Sequence, residues 1–382
     1  MTDEQKRVIL TITIKLAQLG HEVTFCEPIT TGPLITTYRF APRNAAKVSQ
    51  ITSLSQDLAL ALAVEDVTIR RLPGEAVLGI AVPNAVRTIP MWRDNLSTDH
   101  ALDQMSVPLS LGVDSHGRQF REDLTTLPHL LIAGSTGGGK TVLLRSLIAA
   151  MEYWRGPDRI RLVLSDTKQV EFGVFDDSPH LWRPRTTTTI QTLEYMDDLI
   201  NETELRLKLL AQRRAHNIAE FNCSTTKSLP YLILVIDELA DFMGKTADKG
   251  IAALALSKLG LLVQRSRAAG VHVIAATQRP SVDVIAGIVK SNFSARLSFR
   301  LPSEADSRTI LGHGGAEHLL SRGDMFYVSP NAPAMRRLHS LYATNDDITH
   351  CVEFSQLGQR PRQNTSYSLG TGVVEKNSPV TH

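Results

Sequence analysis

Cysteine is scarce in this chain of 382 residues: the three present, Cys26, Cys223 and Cys351, lie far apart and follow neither C-x-x-C nor metal-ligand spacing. That excludes a disulfide framework and a cysteine-based zinc site, and it fits a reducing cytoplasm. Long apolar runs are missing too. No apolar stretch of about 18 residues or more occurs, and the start Met1-Thr2-Asp3-Glu4 is too acidic for a signal peptide. The expectation is a cytoplasmic protein without membrane insertion. Net charge is also low, since 41 Lys and Arg against 39 Asp and Glu leave a formal +2. So small a charge does not mark a nucleic-acid binder, and any such contact has to come from a local basic cluster. What is present, 42% hydrophobic and 21% charged residues, suffices for two folded domains with cores and excludes wholesale disorder.

Residues 1–93 alternate short strand-like and helical patterns and read as a small α+β domain. Its clearest helix is expected from Ala45 to Leu62, with Val48, Ile51, Leu54, Leu58 and Leu62 at helical spacing. Strands are expected at Leu34 to Phe40 and Ala76 to Val82, set off by Gly32-Pro33, Pro73-Gly74 and Pro83-Asn84. Residues 94–111 turn polar and are taken as a connector. Over 112–347 the rhythm changes to apolar strands followed by long helices, with strands at Leu130 to Ala133, Leu162 to Ser165, Tyr231 to Ile236, Val271 to Ala276 and Arg296 to Phe299. That order implies an α/β fold with a parallel sheet covered on both faces. Residues 348–382 lose the pattern and become polar, which predicts a mobile tail.

Gly134-Ser135-Thr136-Gly137-Gly138-Gly139-Lys140-Thr141 matches G-x-x-x-x-G-K-[ST], directly after an apolar strand and before a helix beginning near Lys140, and these eight residues with Val142 are expected to bind the nucleotide. Glycines let backbone amides close around phosphate oxygens, Lys140 places a cation on the β- and γ-phosphates, and Thr141 offers a hydroxyl to Mg²⁺. ATP and Mg²⁺ are therefore the expected cofactors. The strand Tyr231 to Ile236 ends in Asp237-Glu238. Beside a complete P-loop, Asp237 is expected to hold Mg²⁺ through water and Glu238 to orient the attacking water. A second acidic strand end, Asp166-Thr167-Lys168, reads equally well as a solvated end or as part of the site.

Taken with Leu127 to Gly134, the segments Val235 to Asp241, Arg267 to Gly270, Ala276 to Ile285, Asp306 to Leu311 and Gly323 to Met325 closely resemble the FtsK/SpoIIIE DNA translocases. Gly32 to Thr36, Ile51 to Leu58 and Pro73-Gly74 extend the likeness to roughly residues 28–345. The resemblance implies a RecA-like motor stacked on the smaller domain, six copies in a ring, and double-stranded DNA in the channel. By the same resemblance Arg267 reaches the neighbouring subunit's γ-phosphate, Gln278 senses the γ-phosphate, and Arg279, Lys290 and Arg308 touch DNA phosphates. From Arg265 to Arg308 seven basic residues stand against three acidic ones, with no interleaved aromatics for base stacking. Such a stretch is as consistent with a solvated face as with phosphate tracking; the resemblance favours the second.

The sequence departs from the family at Glu304, where a Lys contacting the neighbour's nucleotide is common, and at Asp166-Thr167, where the family has Asp-Pro. No membrane segments precede the motor, and the roughly 35 residues after Asp347 are too few for a winged-helix reading domain. This predicts a minimal translocase from a phage, plasmid or other mobile element, or else a fragment, with any targeting supplied by a recombinase or other partner. Two rival readings stay open: a related ATPase that moves or licenses protein in secretion or conjugative coupling, and a nucleotide-switched DNA-binding protein that does not translocate.

Overall fold

A computed structural model describes residues 1–43, 48–72, 74–96, 100–243, 249–280 and 287–357. The parts of the expected Ala45–Leu62 helix and of the Ala276–Ile285 block that lie outside these ranges are not described, nor is the polar segment from 358 onward.

The N-terminal unit opens with α1 (Asp3–Gln18), whose Thr2 and Gln5 form a reciprocal capping box. Then come β1 (Val23–Thr31), β2 (Ile35–Pro42), α2 (Val48–Thr52), α3 (Ser55–Leu62), β3 (Thr68–Arg71) and β4 (Leu78–Pro83). The strands make an antiparallel sheet in the order β1-β2-β4-β3. Its core holds Ile12, Leu16, Phe40, Ile51, Leu58 and Ile80. The single helix expected up to Leu62 is broken at Ser53-Leu54. There the hydroxyls of Thr52, Ser53 and Ser55 donate to the carbonyls of Ser49, Gln50 and Thr52, offering the backbone an alternative to a continuous helix.

After α4 (Trp92–Leu96), a second, nine-stranded sheet is built from β5 (Pro108–Asp114), β6 (Gln119–Asp123), β7 (His129–Ala133), β8 (Ile160–Ser165), β9 (Tyr231–Ile236), β10 (Val271–Thr277), β11 (Ala295–Ser298), β12 (Asp324–Ser329) and β13 (Ala332–His339). Its order is β6-β5-β13-β12-β11-β7-β10-β9-β8. The five strands β11-β7-β10-β9-β8 are parallel, as expected. The other four are antiparallel, which the sequence reading did not foresee. Two of their pairs, β5-β6 and β12-β13, are joined by short hairpin turns, whereas every parallel step needs a helical crossover.

Those crossovers and the flanking helices are α5 (Lys140–Trp154), α6 (Thr189–Arg213), α7 (Ile218–Cys223), α8 (Ala240–Met243), α9 (Lys249–Arg265), α10 (Gly287–Asn292), α11 (Glu304–Leu311) and α12 (Asn345–Gln356). On β7, Leu130 and Ile132 face the α5 side while Leu131 and Ala133 face the side of α9 and α11. A strand buried on both faces has to be apolar throughout, and this one is.

Two expected boundaries shift. Residues 108–111, read as connector, begin β5 inside the sheet, and Leu109 and Leu111 are fully buried. Residues 348–356, read as tail, complete α12, which packs Ile348, Cys351 and Val352 against the α5 core. A Thr344–Asp347 capping box and an Arg93–Asp347 ion pair at 2.5 Å fix its start. The polar composition of this helix hides its three-residue buried stripe.

The two units touch. Leu34, Ile35 and Ala81 form a small cluster with Leu320, and Arg337 bridges Asp324 and the Thr68 hydroxyl. Gly32 is required here, because a Cβ would lie 2.4 Å from the Ser115 carbonyl oxygen.

Candidate nucleotide site

β7 runs between β10 and β11 and delivers the chain to the loop 134–139 at the C-terminal edge of the parallel strands, the edge where open α/β sheets hold ligands. Backbone bonds pin the loop from three sides: Gly134 N to Thr277 O (3.2 Å), Ser135 N to Arg300 O (3.0 Å) and Gly323 N to Gly138 O (3.0 Å). Gly137 and Gly139 have φ of +78° and +118°, conformations that favour glycine, and a Cβ on Gly134 would lie 2.8 Å from Phe299 Cβ. Helix α5 starts at Lys140 with Gly139 at its cap and no side-chain cap bond. Its first amides are thus available to an anion.

The Lys140 ammonium is buried and donates to Asp237 O (2.7 Å) and Asp237 Oδ1 (3.0 Å). Asp237 and Glu238 leave the end of β9, whose six residues are all buried. Asp237 Oδ2 is buried without a hydrogen-bond donor, and Lys168 Nζ stands 3.8 Å from it. Glu238 accepts from Thr277 Oγ1 (2.8 Å) and from the amides of Gln278 (3.1 Å) and Ala240 (3.2 Å). The Thr136 hydroxyl donates to Gln278 Oε1 at 3.1 Å, joining the P-loop to the end of β10.

A cavity of about 520 Å³ opens over this group. Its floor is Ser135 to Val142, and its walls are Glu171, Gln278, Arg322, His339, Tyr342 and Ile89. Burial, with the Asp237 carboxylate nearby, raises the Glu171 carboxyl above its ordinary value. Among the described residues no cluster of three His, Cys, Asp or Glu could hold a metal by itself. The donor set does fit a Mg²⁺ that arrives on a nucleotide: one hydroxyl on Thr141, one orphaned carboxylate oxygen on Asp237, and the rest from phosphates and water.

The structure thus gathers Lys140, Thr141, Asp237, Glu238 and Gln278 at one edge. Sequence reasoning did not single out Glu171 or Thr277, and it left Lys168 undecided. Lys168 follows the acidic strand end of β8, which is the one signal that could have found it. The walls at Ile89, His339 and Tyr342 come from distant segments that no local pattern links.

Arg267 lies elsewhere. It occupies the turn before β10, exposed, at the opposite edge of the sheet. The seven residues of β10 put it roughly 20 Å from its own P-loop at about 3.3 Å per residue. Among the described residues no carboxylate pairs with it. Arg279 is exposed just past β10. Lys290 lies on α10 and Arg308 on α11, and the two helices are tied by Arg296, whose guanidinium donates to the carbonyls of Phe293, Ile310 and Lys290. Arg308 is not free: it pairs with Glu304 at 2.6 Å, one helical turn before it. Arg265 is likewise held by Glu204 at 2.8 Å. The basic surplus counted in the sequence is therefore partly spent inside the fold.

Comparison with known proteins gives one consistent picture. Residues 94–282 match the model of the FtsK/SpoIIIE family, and residues 2–84 match that of the FtsK alpha domain. The chain is 38% identical to a DNA translocase FtsK of Helicobacter pylori over 91% of its own length and 41% of the relative's. It is 36% identical to one of Pseudomonas putida, over 96% of this chain and 46% of that protein. The chain thus spans less than half the length of these curated relatives. Among solved structures, the conjugation coupling protein TcpA of pCW3, determined with ATPγS, superposes with a TM-score of 0.67 at 22% identity, over 92% of this chain and all of that one. The cytoplasmic domain of the type VII secretion ATPase EccC of Thermomonospora curvata gives 0.56 at 22% identity, over 65% of this chain and 31% of that one. At such identities these two show a shared fold and nothing further. No helix among the described residues is long and apolar enough to cross a membrane.

Proposed function

The chain belongs to the FtsK/SpoIIIE family, and from that premise we propose that it is an ATP-hydrolysing motor that draws double-stranded DNA through a homohexameric ring. The observation that carries this reading is the C-terminal edge of the sheet, where Lys140 rests on Asp237 while Glu238 and Gln278 meet one residue further on. A P-loop, an acid for the metal, an acid for the water and a polar residue bonded to the P-loop and to the second acid are the parts a phosphoryl-transfer site needs.

In this reading the amides of residues 134–139 and the Lys140 ammonium hold the phosphates. Thr141 and Asp237 hold Mg²⁺, which when bound neutralises charge on the β- and γ-phosphates. Glu238 positions the attacking water, and Gln278 reports the γ-phosphate to the segment beginning at Arg279. Arg267 serves the neighbouring subunit, because its own site is out of reach while its guanidinium is exposed and unpaired among the described residues. Arg279, Lys290 and Arg308 face the DNA backbone, where cations suffice and bases are not read. The small unit of residues 1–93 stacks in the ring with the motor of residues 112–347.

The test is the ATP turnover rate with and without linear duplex DNA. Stimulation by DNA of any sequence is expected. Turnover that ignores DNA would replace this reading with a nucleotide-switched or protein-moving ATPase.

A further inference from the structure

The Glu238 carboxylate is held on several sides, and one of its partners has a second attachment. Thr277, fully buried at the last position of β10, brings its hydroxyl to 2.8 Å from Glu238 Oε1. The same oxygen accepts the amide of Arg279 at 3.0 Å and lies 3.3 Å from the Arg279 carbonyl. A hydroxyl has one proton. The shorter contact to a charged oxygen is the stronger acceptor, so the proton goes to Glu238 while a lone pair takes the Arg279 amide. Gln278 N, between them, donates to both oxygens of Glu238 at 3.2 and 3.1 Å. A single buried hydroxyl therefore joins the water-orienting carboxylate to the backbone of an exposed cation two residues on.

We propose that Thr277 is a positioning residue through which the backbone at Arg279 sets the orientation of Glu238, so that duplex DNA engaging Arg279 changes the rate of ATP hydrolysis. The proposal rests on the translocase reading above. Its logic is geometric. If the Arg279 amide moves, the hydroxyl loses its acceptor role and can turn its proton from Glu238 to the Arg279 carbonyl, already near. Gln278, in the same backbone segment, moves with it. The carboxylate then loses donors on the β10 side and becomes free to accept from a water over the phosphates. Coupling of this kind needs no movement of the P-loop backbone, which is held by Thr277 O, Arg300 O and Gly323 N, while the Thr136 hydroxyl follows or releases Gln278.

The experiment measures ATP turnover of the full chain with and without linear duplex DNA for the wild type, Thr277→Val and Thr277→Ser. Valine keeps the branched shape and removes the hydroxyl; serine keeps the hydroxyl and removes the methyl. Thr277→Ser should retain a stimulation ratio within about twofold of wild type, and Thr277→Val should bring the ratio to within about twofold of one. Both should bind a fluorescent ATP analogue within about threefold of the wild-type Kd. A Val variant stimulated like wild type overturns the proposal, as does a Ser variant uncoupled like Val. An unstimulated wild type would remove the translocase reading itself, whereas a stimulated wild type with a stimulated Val variant removes this inference alone. Should Thr277→Val fail to fold, hydrogen exchange on the wild type decides: duplex DNA should alter exchange of the Gln278 and Ala240 amides, and unchanged exchange there with DNA bound overturns the proposal.

Discussion

The two regions proposed to hold nucleotide and DNA are built in opposite ways. At the C-terminal edge of the parallel strands, Lys140, Asp237, Glu238 and Thr277 are all buried and reciprocally bonded. Between Arg265 and Arg308 the cations are largely exposed, and several are already engaged by Glu204, by Glu304 or by backbone carbonyls. A buried polar group without its partner is costly, so the first region tolerates almost no substitution. An exposed ion pair contributes little, so the second can be rearranged by whatever binds it.

The sharpest test of this contrast is Lys140→Ala. It removes the proposed phosphate cation and also takes from the buried Asp237 carboxylate its hydrogen-bonded ammonium, leaving Lys168 at 3.8 Å, so both ATP binding and turnover should vanish, and thermal unfolding should come earlier. Arg267→Ala should be equally inactive but should unfold like wild type, because its guanidinium is exposed. Mixing the two inactive proteins should restore turnover, since each completes a different side of a shared site. Mixtures that stay inactive while rings form would place Arg267 outside the chemistry.

Glu238→Gln comes next. It keeps an oxygen to accept from Thr277 but loses the charge proposed to orient water, so ATP should still bind while turnover falls at least about 100-fold. Normal turnover would shift the role to another carboxylate, with Glu171 the one on the cavity wall.

The contrast also explains what could be read from the sequence. The P-loop and the acid pair were legible because backbone geometry fixes them: glycines at φ of +78° and +118°, a strand buried on both faces, and a charge at its end. The five parallel strands were legible for the same reason. Thr277 was not, because a threonine at a strand end carries no signal until its neighbours are placed. Nor were β5, whose buried Pro108, Ser110 and Gly112 alternate with its apolar residues, and the stretch of α12 from residue 348, where a few buried residues sit inside polar sequence. The basic count from Arg265 to Arg308 misled most, since counting charges cannot tell Arg296, satisfied by three carbonyls, from Arg279, left exposed.

The smallest expected effect concerns Arg308, where the sequence leaves the family pattern at Glu304. The two side chains pair at 2.6 Å on adjacent turns of α11, both more than half exposed. A DNA phosphate competing for Arg308 must displace that carboxylate or share the guanidinium with it. Arg279 and Lys290 have no such partner among the described residues. Arg279→Ala and Lys290→Ala should each lower the slope of log affinity against log salt by about 0.9, one phosphate's worth, while Arg308→Ala lowers it by less. Glu304→Gln then sharpens the comparison, because it frees Arg308 without touching a cation. Duplex binding by this variant should tighten and its salt slope should steepen, with Arg308→Ala in the Glu304→Gln background losing about the full 0.9. An equal loss of about 0.9 for Arg308→Ala in both backgrounds would mean that the pair does not restrain the arginine, and no loss in either would place α11 off the DNA track.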